Sequence, residues 1–454
     1  MKAKLIALTV VAAAVAAFGG VLDNAWIKGV TDKDPLVYQP GEKMVFTLTL
    51  QGLDGELPAG EYFLRWTRSG DDGLKANGKV PLTTAPFTYE TKIDRPGFVR
   101  LQAEVVDAKG RRVLKTAKFD TTTPEGRAAM NRFERKNKAV FFDGGAAVRP
   151  ETLEGVPEPA DFDAFWKGQK EKLAAVPFKD STELTEVRRT KDVTVYRVKI
   201  PCAGPRPVTG HITVPLASAE GRKFPAHLTV DGYNGDIKRW EQAPSGGPAD
   251  EIRLHINAHG YELGRDAAFY AEFAKSIRAG EKSYALSAVE HQKPTGCYFE
   301  GMVFRVLRAL EYLKSRPDWN GKDLIVSGGS QGGLQSAWAA GLDRDVTVAK
   351  PSIPWCCDMG GATKLGRNNR QWGVEYTPAM DYYDPVNMAK RVPETCFVEV
   401  PRAGLGDYTC PPSGVAVYYN NLKCPKKITW VQGSQHGYVP PEAYAGRDFV
   451  REAK

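Results

Sequence analysis

The sequence predicts an α/β protein: a mostly parallel sheet with helices on both faces, preceded by a small β-sandwich. Three observations predict it. Behind an apolar leader, about a hundred residues hold alternating or continuous apolar runs split by Gly, Pro and Asp, without helical periodicity. After Pro225, short apolar runs alternate with helical patterns, as parallel strands joined by crossover helices do. Within that alternation, Gly328-Gly329-Ser330-Gln331-Gly332-Gly333 carries G-x-S-x-G at a strand-to-helix transition.

The chain has 454 residues, which suggests two domains behind a leader. Lys2 and Lys4 precede an apolar run from Leu5 to Ala17, followed by small residues. That run is too short for a bilayer and has the layout of a secretory signal peptide over 1–20, predicting a periplasmic or secreted protein without a membrane anchor after cleavage. The net charge of +8 is spread over Lys and Arg interleaved with acids, so no nucleic-acid partner is expected. Seven cysteines leave at least one unpaired within the chain. Cys356 and Cys357 are adjacent and lack a C-x-x-C partner, and no H-E-x-x-H, P-loop or βαβ G-x-G-x-x-G occurs. Neither a metal nor a nucleotide cofactor is expected.

Residues 21–122 read as an immunoglobulin-like sandwich. Its strand signals are Lys43 to Leu50, Glu61 to Trp66 and Phe98 to Val106. No cysteine lies there, so no disulfide joins its sheets. Residues 123–150 are polar and read as a connector, helical around Arg127 to Lys138. The catalytic pattern occupies 151–454. Asp161 is the expected N-cap of an amphipathic helix through Trp166. Val193 to Ile200 and Gly210 to Leu216 read as an antiparallel pair. Strands follow at His227–Val230, Arg253–Asn257, Asp323–Val326, Val346–Ala349, Cys396–Val400 and Ile428–Val431, with a helix carrying Met302, Val306, Leu310 and Leu313 on one face. Chemistry in such sheets belongs at the carboxyl ends of the strands.

A serine hydroxyl needs a base to take its proton, and the base needs an orienting carboxylate. In an α/β-hydrolase the acid and then the histidine follow the serine. Of six histidines only His436 follows Ser330, just beyond the last expected strand. Asp407 lies a few residues beyond Val400, whereas Asp381 and Asp384 precede that strand and read as capping or structural residues. The oxyanion requires two donors: the N–H of Gln331, next to the nucleophile, and that of Tyr233 in Asp231–Gly235, after an early strand. His259 and Tyr261 end a strand at the top of the sheet and are expected to line the substrate pocket. Trp355, Trp240 and Tyr438 are candidates for stacking on sugar rings. His211, His227 and His255 alternate within strands and read as packed residues.

These motifs together resemble the acetyl xylan esterase and cephalosporin C deacetylase family, carbohydrate esterase family seven. Pro157 to Trp166 is similar to its first helix, and Gly328 to Gly333 to its nucleophile elbow. Gly404-Leu405-Gly406-Asp407 with Cys410-Pro411-Pro412 resembles its acid loop, Gln435-His436-Gly437 its histidine loop, and Tyr383 to Ala389 a further characteristic stretch. The resemblance runs from about Glu151 to the C-terminus. It implies cofactor-free, serine-dependent removal of acetyl groups from acetylated oligosaccharides or polysaccharides such as xylan, with Ser330, Asp407 and His436 as the triad and Tyr233 with Gln331 as oxyanion donors. A homo-oligomer is implied too. Two departures stand out: Ala258-His259-Gly260-Tyr261 replaces the family's Arg-Gly-Gln stretch, and a leader and β-domain precede the catalytic region. A prolyl-oligopeptidase-type peptidase shares the sheet and triad but needs a propeller-length region this chain lacks. A catalytically silent glycan-binding protein is the reading from another class.

Overall fold

The structure is a computed structural model that describes residues 20–116, 120–132, 138–234, 243–441 and 449–452. The expected leader, Gly235 and Trp240 lie outside these residues. Seven strands form the N-terminal module: β1 (Trp26–Thr31), β2 (Met44–Gln51), β3 (Tyr62–Gly70), β4 (Ala76–Pro81), β5 (Phe87–Thr91), β6 (Gly97–Asp107) and β7 (Phe141–Val148). They make two antiparallel sheets, ordered β1-β2-β5 and β4-β3-β6-β7. Strict alternation creates the core. Met44, Phe46 and Leu48 of β2 are buried with Leu64, Val99, Leu101, Val105 and Phe142, while the residues between them face outward.

The boundary of this module differs from expectation. Residues 141–148, expected within a connector, form β7 and pair with β6 from Phe98↔Ala147 to Glu104↔Phe141. The reason is compositional: Asp143-Gly144-Gly145-Ala146-Ala147 has little intrinsic strand preference, so neighbouring chain rather than propensity dictates its conformation. Of the helix expected around Arg127 to Lys138, α1 covers Pro124–Arg132, and residues 133–137 lie outside the described residues.

The second domain is built on a ten-stranded sheet. Its strands are β8 (Glu183–Arg189), β9 (Val193–Ile200), β10 (Val208–Pro215), β11 (Phe224–Val230), β12 (Ile252–Ile256), β13 (Trp319–Gly329), β14 (Val348–Ser352), β15 (Phe397–Gly404), β16 (Lys426–Val431) and β17 (Phe449–Glu452). The spatial order is β17-β16-β15-β14-β13-β11-β12-β10-β9-β8. Strands β12, β11, β13, β14, β15 and β16 are mutually parallel, and antiparallel strands close both edges. Chain direction across the sheet reverses between β11 and β13, which opens a crevice at their carboxyl ends.

The helices are α2 (Phe162–Ala174), α3 (Ala267–Ser276), α4 (Tyr298–Ser315), α5 (Gln331–Leu342), α6 (Gly361–Leu365), α7 (Pro385–Ala389) and α8 (Pro412–Asn421). Helix α4 buries Val306, Ala309, Leu310 and Leu313 with the apolar side chains of β9 to β13. Its two buried arginines donate to carbonyls: Arg305 to Ala258 O, and Arg308 to Leu173 O and Val176 O. Asp161 does occupy the N-cap position of α2, but its carboxylate accepts from the Tyr382 hydroxyl instead of capping the helix. All seven cysteines are free thiols. Among the described residues no helix is long and apolar enough to cross a membrane.

The two domains share a packed boundary. Phe98 and Ala147, paired across β6 and β7, join the apolar core of the second domain, and the Phe98 ring lies 5.8 Å from that of Trp430.

Candidate active site

Strand β13 ends at Gly329 and α5 starts at Gln331, so the whole turn is Ser330. Its backbone sits at φ 59°, ψ −116°, a conformation costing about 1–3 kcal/mol for a non-glycine residue. Neighbours over-determine it: Ser330 N donates to Ser352 O at 3.0 Å, and Ser330 O accepts from Leu334 N at 3.0 Å and Trp355 N at 3.1 Å. The flanking glycines are steric requirements. A Cβ on Gly328 would lie 2.5 Å from Val230 O, and one on Gly332 2.4 Å from the same carbonyl. The glycines thus let β11 approach the elbow closely.

Strand β15 delivers the acid. Asp407, 1% exposed, accepts from Thr409 N at 3.0 Å and Cys410 N at 3.1 Å through Oδ1. Its Oδ2 lies 3.0 Å from His436 Nδ1. An ionised carboxylate can only accept, so Nδ1 carries the proton and Nε2 keeps its lone pair. The histidine loop follows β16 and is closed by Gln435 N to Tyr438 O at 3.0 Å and Tyr438 N to Gln435 O at 3.2 Å. Arg402 donates to His436 O at 3.2 Å. Acid and histidine loops touch through backbone: Gly406 N donates to Ser434 O at 3.1 Å.

Cys410 lies against the histidine. Its thiol is 3.7 Å from His436 Nδ1. Burial, then the Asp407 carboxylate, pushes this thiol well above the usual range, so it stays protonated. Nothing in the spacing assigned it a place beside His436, although it stands in the acid-loop motif. Among the described residues, Asp407, Cys410 and His436 are also the one group of three side chains whose ligand atoms are close enough for a metal, within 4.8 Å. Two backbone N–H groups and the imidazole already engage the carboxylate, which is the bonding of an orienting acid.

The oxyanion candidates flank the nucleophile. Gln331 opens α5, where the first amide N–H groups have no partner within the helix. Gly232 lies against the elbow, since a Cβ there would be 3.9 Å from the Ser330 Cβ, and this brings the Tyr233 loop alongside. The Tyr233 ring stacks on Tyr284 at 4.5 Å, and its hydroxyl donates to Tyr284 O at 2.8 Å. Tyr284 in turn donates to the Gln331 side chain at 2.8 Å, linking the two candidate segments.

Trp355 is buried and meets Tyr233 edge-on at 5.6 Å. His259 and Tyr261 do not face an open pocket; they are 1% and 2% exposed. His259 instead sits between Tyr298 Oη, 2.6 Å from Nδ1, and Asn234 O, 3.1 Å from Nε2, behind the Tyr233 loop. Burial and the charge of Arg305 lower its pKa to about 3, so it is neutral. The exposed aromatic at the site is Trp372, unmarked by any motif. It is 51% exposed, has φ 56°, and stands 5.1 Å from the Tyr233 ring and 6.4 Å from that of Trp355. Tyr438 packs beside Phe141 of β7 at 4.8 Å. Asp384 caps α7 and accepts from Asp358 N, Met359 N and Val386 N, while Asp381 accepts from the Tyr376 hydroxyl. Both have the structural bonding expected of them.

Known proteins resemble this chain in sequence and in fold. The family profile described as acetyl xylan esterase (AXE1) matches residues 153–449. Acetyl esterase Axe7A of Xylanibacter ruminicola is 30% identical over 287 residues, which span 61% of this chain and 63% of that protein. An acetyl xylan esterase from Paenibacillus sp. R4 superposes with a TM-score of 0.51 at 22% identity, covering 66% of this chain and 96% of that one. Acetyl xylan esterase 1 from Thermoanaerobacterium sp. JW/SL YS485 gives 0.51 at 20% identity, over 66% and 95%. At these identities the two structures share the fold.

Proposed function

Since the chain belongs to the acetyl xylan esterase family, we propose that it is a serine esterase that removes O-acetyl groups from acetylated xylan or xylo-oligosaccharides through an acetyl-enzyme. The observation that carries this reading is the 3.0 Å His436–Asp407 bond beside a serine held on a strained elbow. Ser330 Oγ attacks the acetyl carbonyl while His436 Nε2 takes its proton, and Asp407 stabilises the resulting imidazolium. The N–H groups of Gln331 and Tyr233 receive the charge that develops on the carbonyl oxygen. The C–O bond to the sugar breaks as His436 returns the proton to the leaving hydroxyl. Water, activated by the same histidine, then releases acetate and regenerates Ser330. Acetate release from acetylated xylo-oligosaccharides tests the reading: Ser330→Ala is expected to lower kcat by at least ~1,000-fold. Undiminished release would defeat the assignment of Ser330.

Export is part of the same proposal and is supported by Lys2, Lys4 and the Leu5–Ala17 run. Sequencing the N-terminus of the mature protein checks it, and a retained Lys2 would refute it.

A further inference from the structure

The outer face of the four-stranded sheet in the β-module is graded. Register places Phe98 beside Ala147, then Arg100 between Ser69 and Gly145, Gln102 between Thr67 and Asp143, and Glu104 between Arg65 and Phe141. The first row is buried in the catalytic domain's core, and the Arg65 end is open, with that side chain 44% exposed. The rows between them meet the catalytic loops. Arg100 donates to both oxygens of the buried Asp143, at 2.8 and 2.6 Å, and its guanidinium lies 4.1 Å from the ring centre of Tyr408. Asp143 Oδ2 also accepts from Gln102 at 3.2 Å and from Gln435 Nε2 at 2.8 Å. Gln432 closes a two-way amide bridge with Gly145, at 2.9 and 2.8 Å. A Cβ on Gly406 would lie 1.9 Å from Asp143 O, so the two backbones are flush. Gly406 and Tyr408 are the chain neighbours of Asp407, and Gln435 is that of His436.

We propose that the N-terminal β-module is a working part of the catalytic site, in which Asp143, held by Arg100, is a positioning residue that fixes the Gln435–His436 turn against Asp407. The proposal rests on the Ser330–Asp407–His436 reading. The turn is also held by its own two backbone bonds, the Ser434 hydroxyl on Tyr438 O, Gly406 N on Ser434 O, the Arg402 contact and the Asp407 carboxylate on the imidazole. A side-chain tether from the neighbouring residue to a buried ion pair restrains the turn that carries the imidazole, and proton transfer is sensitive to small displacements of the base.

The test compares Gln435→Leu, which removes the tether but leaves Asp143 paired with Arg100 and Gln102, with Asp143→Asn and with Arg65→Ala at the open end. Four quantities are read in the full chain: kcat and KM for p-nitrophenyl acetate, the rate at which a fluorophosphonate labels Ser330, and Tm. Gln435→Leu is expected to lose about 10- to 100-fold in kcat and in labelling rate, with KM within about twofold and little change in Tm. Asp143→Asn is expected to fall in the same direction, and Arg65→Ala to match the wild type. Wild-type kcat and labelling in Gln435→Leu would overturn the proposal, as would an equal loss in Arg65→Ala. A wild type that labels but releases no acetate from xylo-oligosaccharides would defeat the substrate reading alone. A wild type that does not label would defeat both.

Discussion

Trp372 holds a positive φ, exposes half its surface, and stands edge-on to Tyr233, the proposed oxyanion-loop tyrosine. A large aromatic kept in that conformation outside the core offers a flat apolar face to a ring that passes the site. For the proposed esterase, Trp372→Ala is expected to raise KM for acetylated xylo-oligosaccharides roughly 3- to 10-fold, the ~0.5–1.5 kcal/mol of one aromatic contact. Turnover of p-nitrophenyl acetate, which has no sugar ring, should stay near wild type; an equal effect on both would assign Trp372 to loop stability. Ser330, Asp407 and His436 are proposed from the sequence because the chemistry imposes an order and one histidine satisfies it; the structure brings Asp407 Oδ2 to 3.0 Å from His436 Nδ1. Trp372 was not readable, since a lone tryptophan in a loop has neither period nor motif. His259 misled for a related reason: the end of a strand points to the top of the sheet, but the sequence does not say that Tyr298 and Asn234 cover it there.

Strands whose side chains drive their own burial were legible as elements, among them β2, β9, β11 and β16. Strand β7 was not, because small residues carry no pattern and the reason for them lies in distant chain. Gly145 shows this directly. A Cβ there would sit 2.5 Å from Val99 O in the partner strand and 3.1 Å from Leu405 O in the acid loop. Both obstacles are backbone, so neither moves easily. Gly145→Ala is therefore expected to destabilise the protein by about 1–3 kcal/mol, read as a lowered urea midpoint, even though alanine is the more ordered residue in the unfolded chain. An unchanged midpoint would mean that β6, β7 and the acid loop separate without cost, contrary to a rigid boundary between the domains.

For the whole molecule, buried titratable groups set two opposing pH trends. Burial, with Arg197 and Arg305 nearby, lowers His211 to about 4 and His259 to about 3, against 6.5 for an exposed histidine. As pH falls below 6.5 the unfolded chain takes up protons that the folded protein refuses. Stability is then lost at up to about 1.4 kcal/mol per pH unit for each histidine. Glu290 acts with the other sign. Burial raises it to about 7 from 4.5, opposed by a bond from Ala285 N, so the folded protein keeps a proton that the unfolded chain releases. Its contribution is complete below pH 4.5 and disappears as pH rises through 7. Between these limits the trends partly cancel, and differences between variants separate them better than absolute curves. Relative to wild type, Glu290→Gln is expected to gain stability steadily from pH 4.5 to 7, and His259→Gln to gain as pH falls from 6.5 toward 3, where the neutral amide has no proton to refuse. Urea midpoints measured across that range decide the matter. A Glu290→Gln difference that stays constant with pH would show the carboxyl to be solvated in the folded protein. A constant His259→Gln difference would show that the imidazole protonates in place, with the Tyr298 hydroxyl turning from donor to acceptor at Nδ1 while Nε2 keeps its bond to Asn234 O.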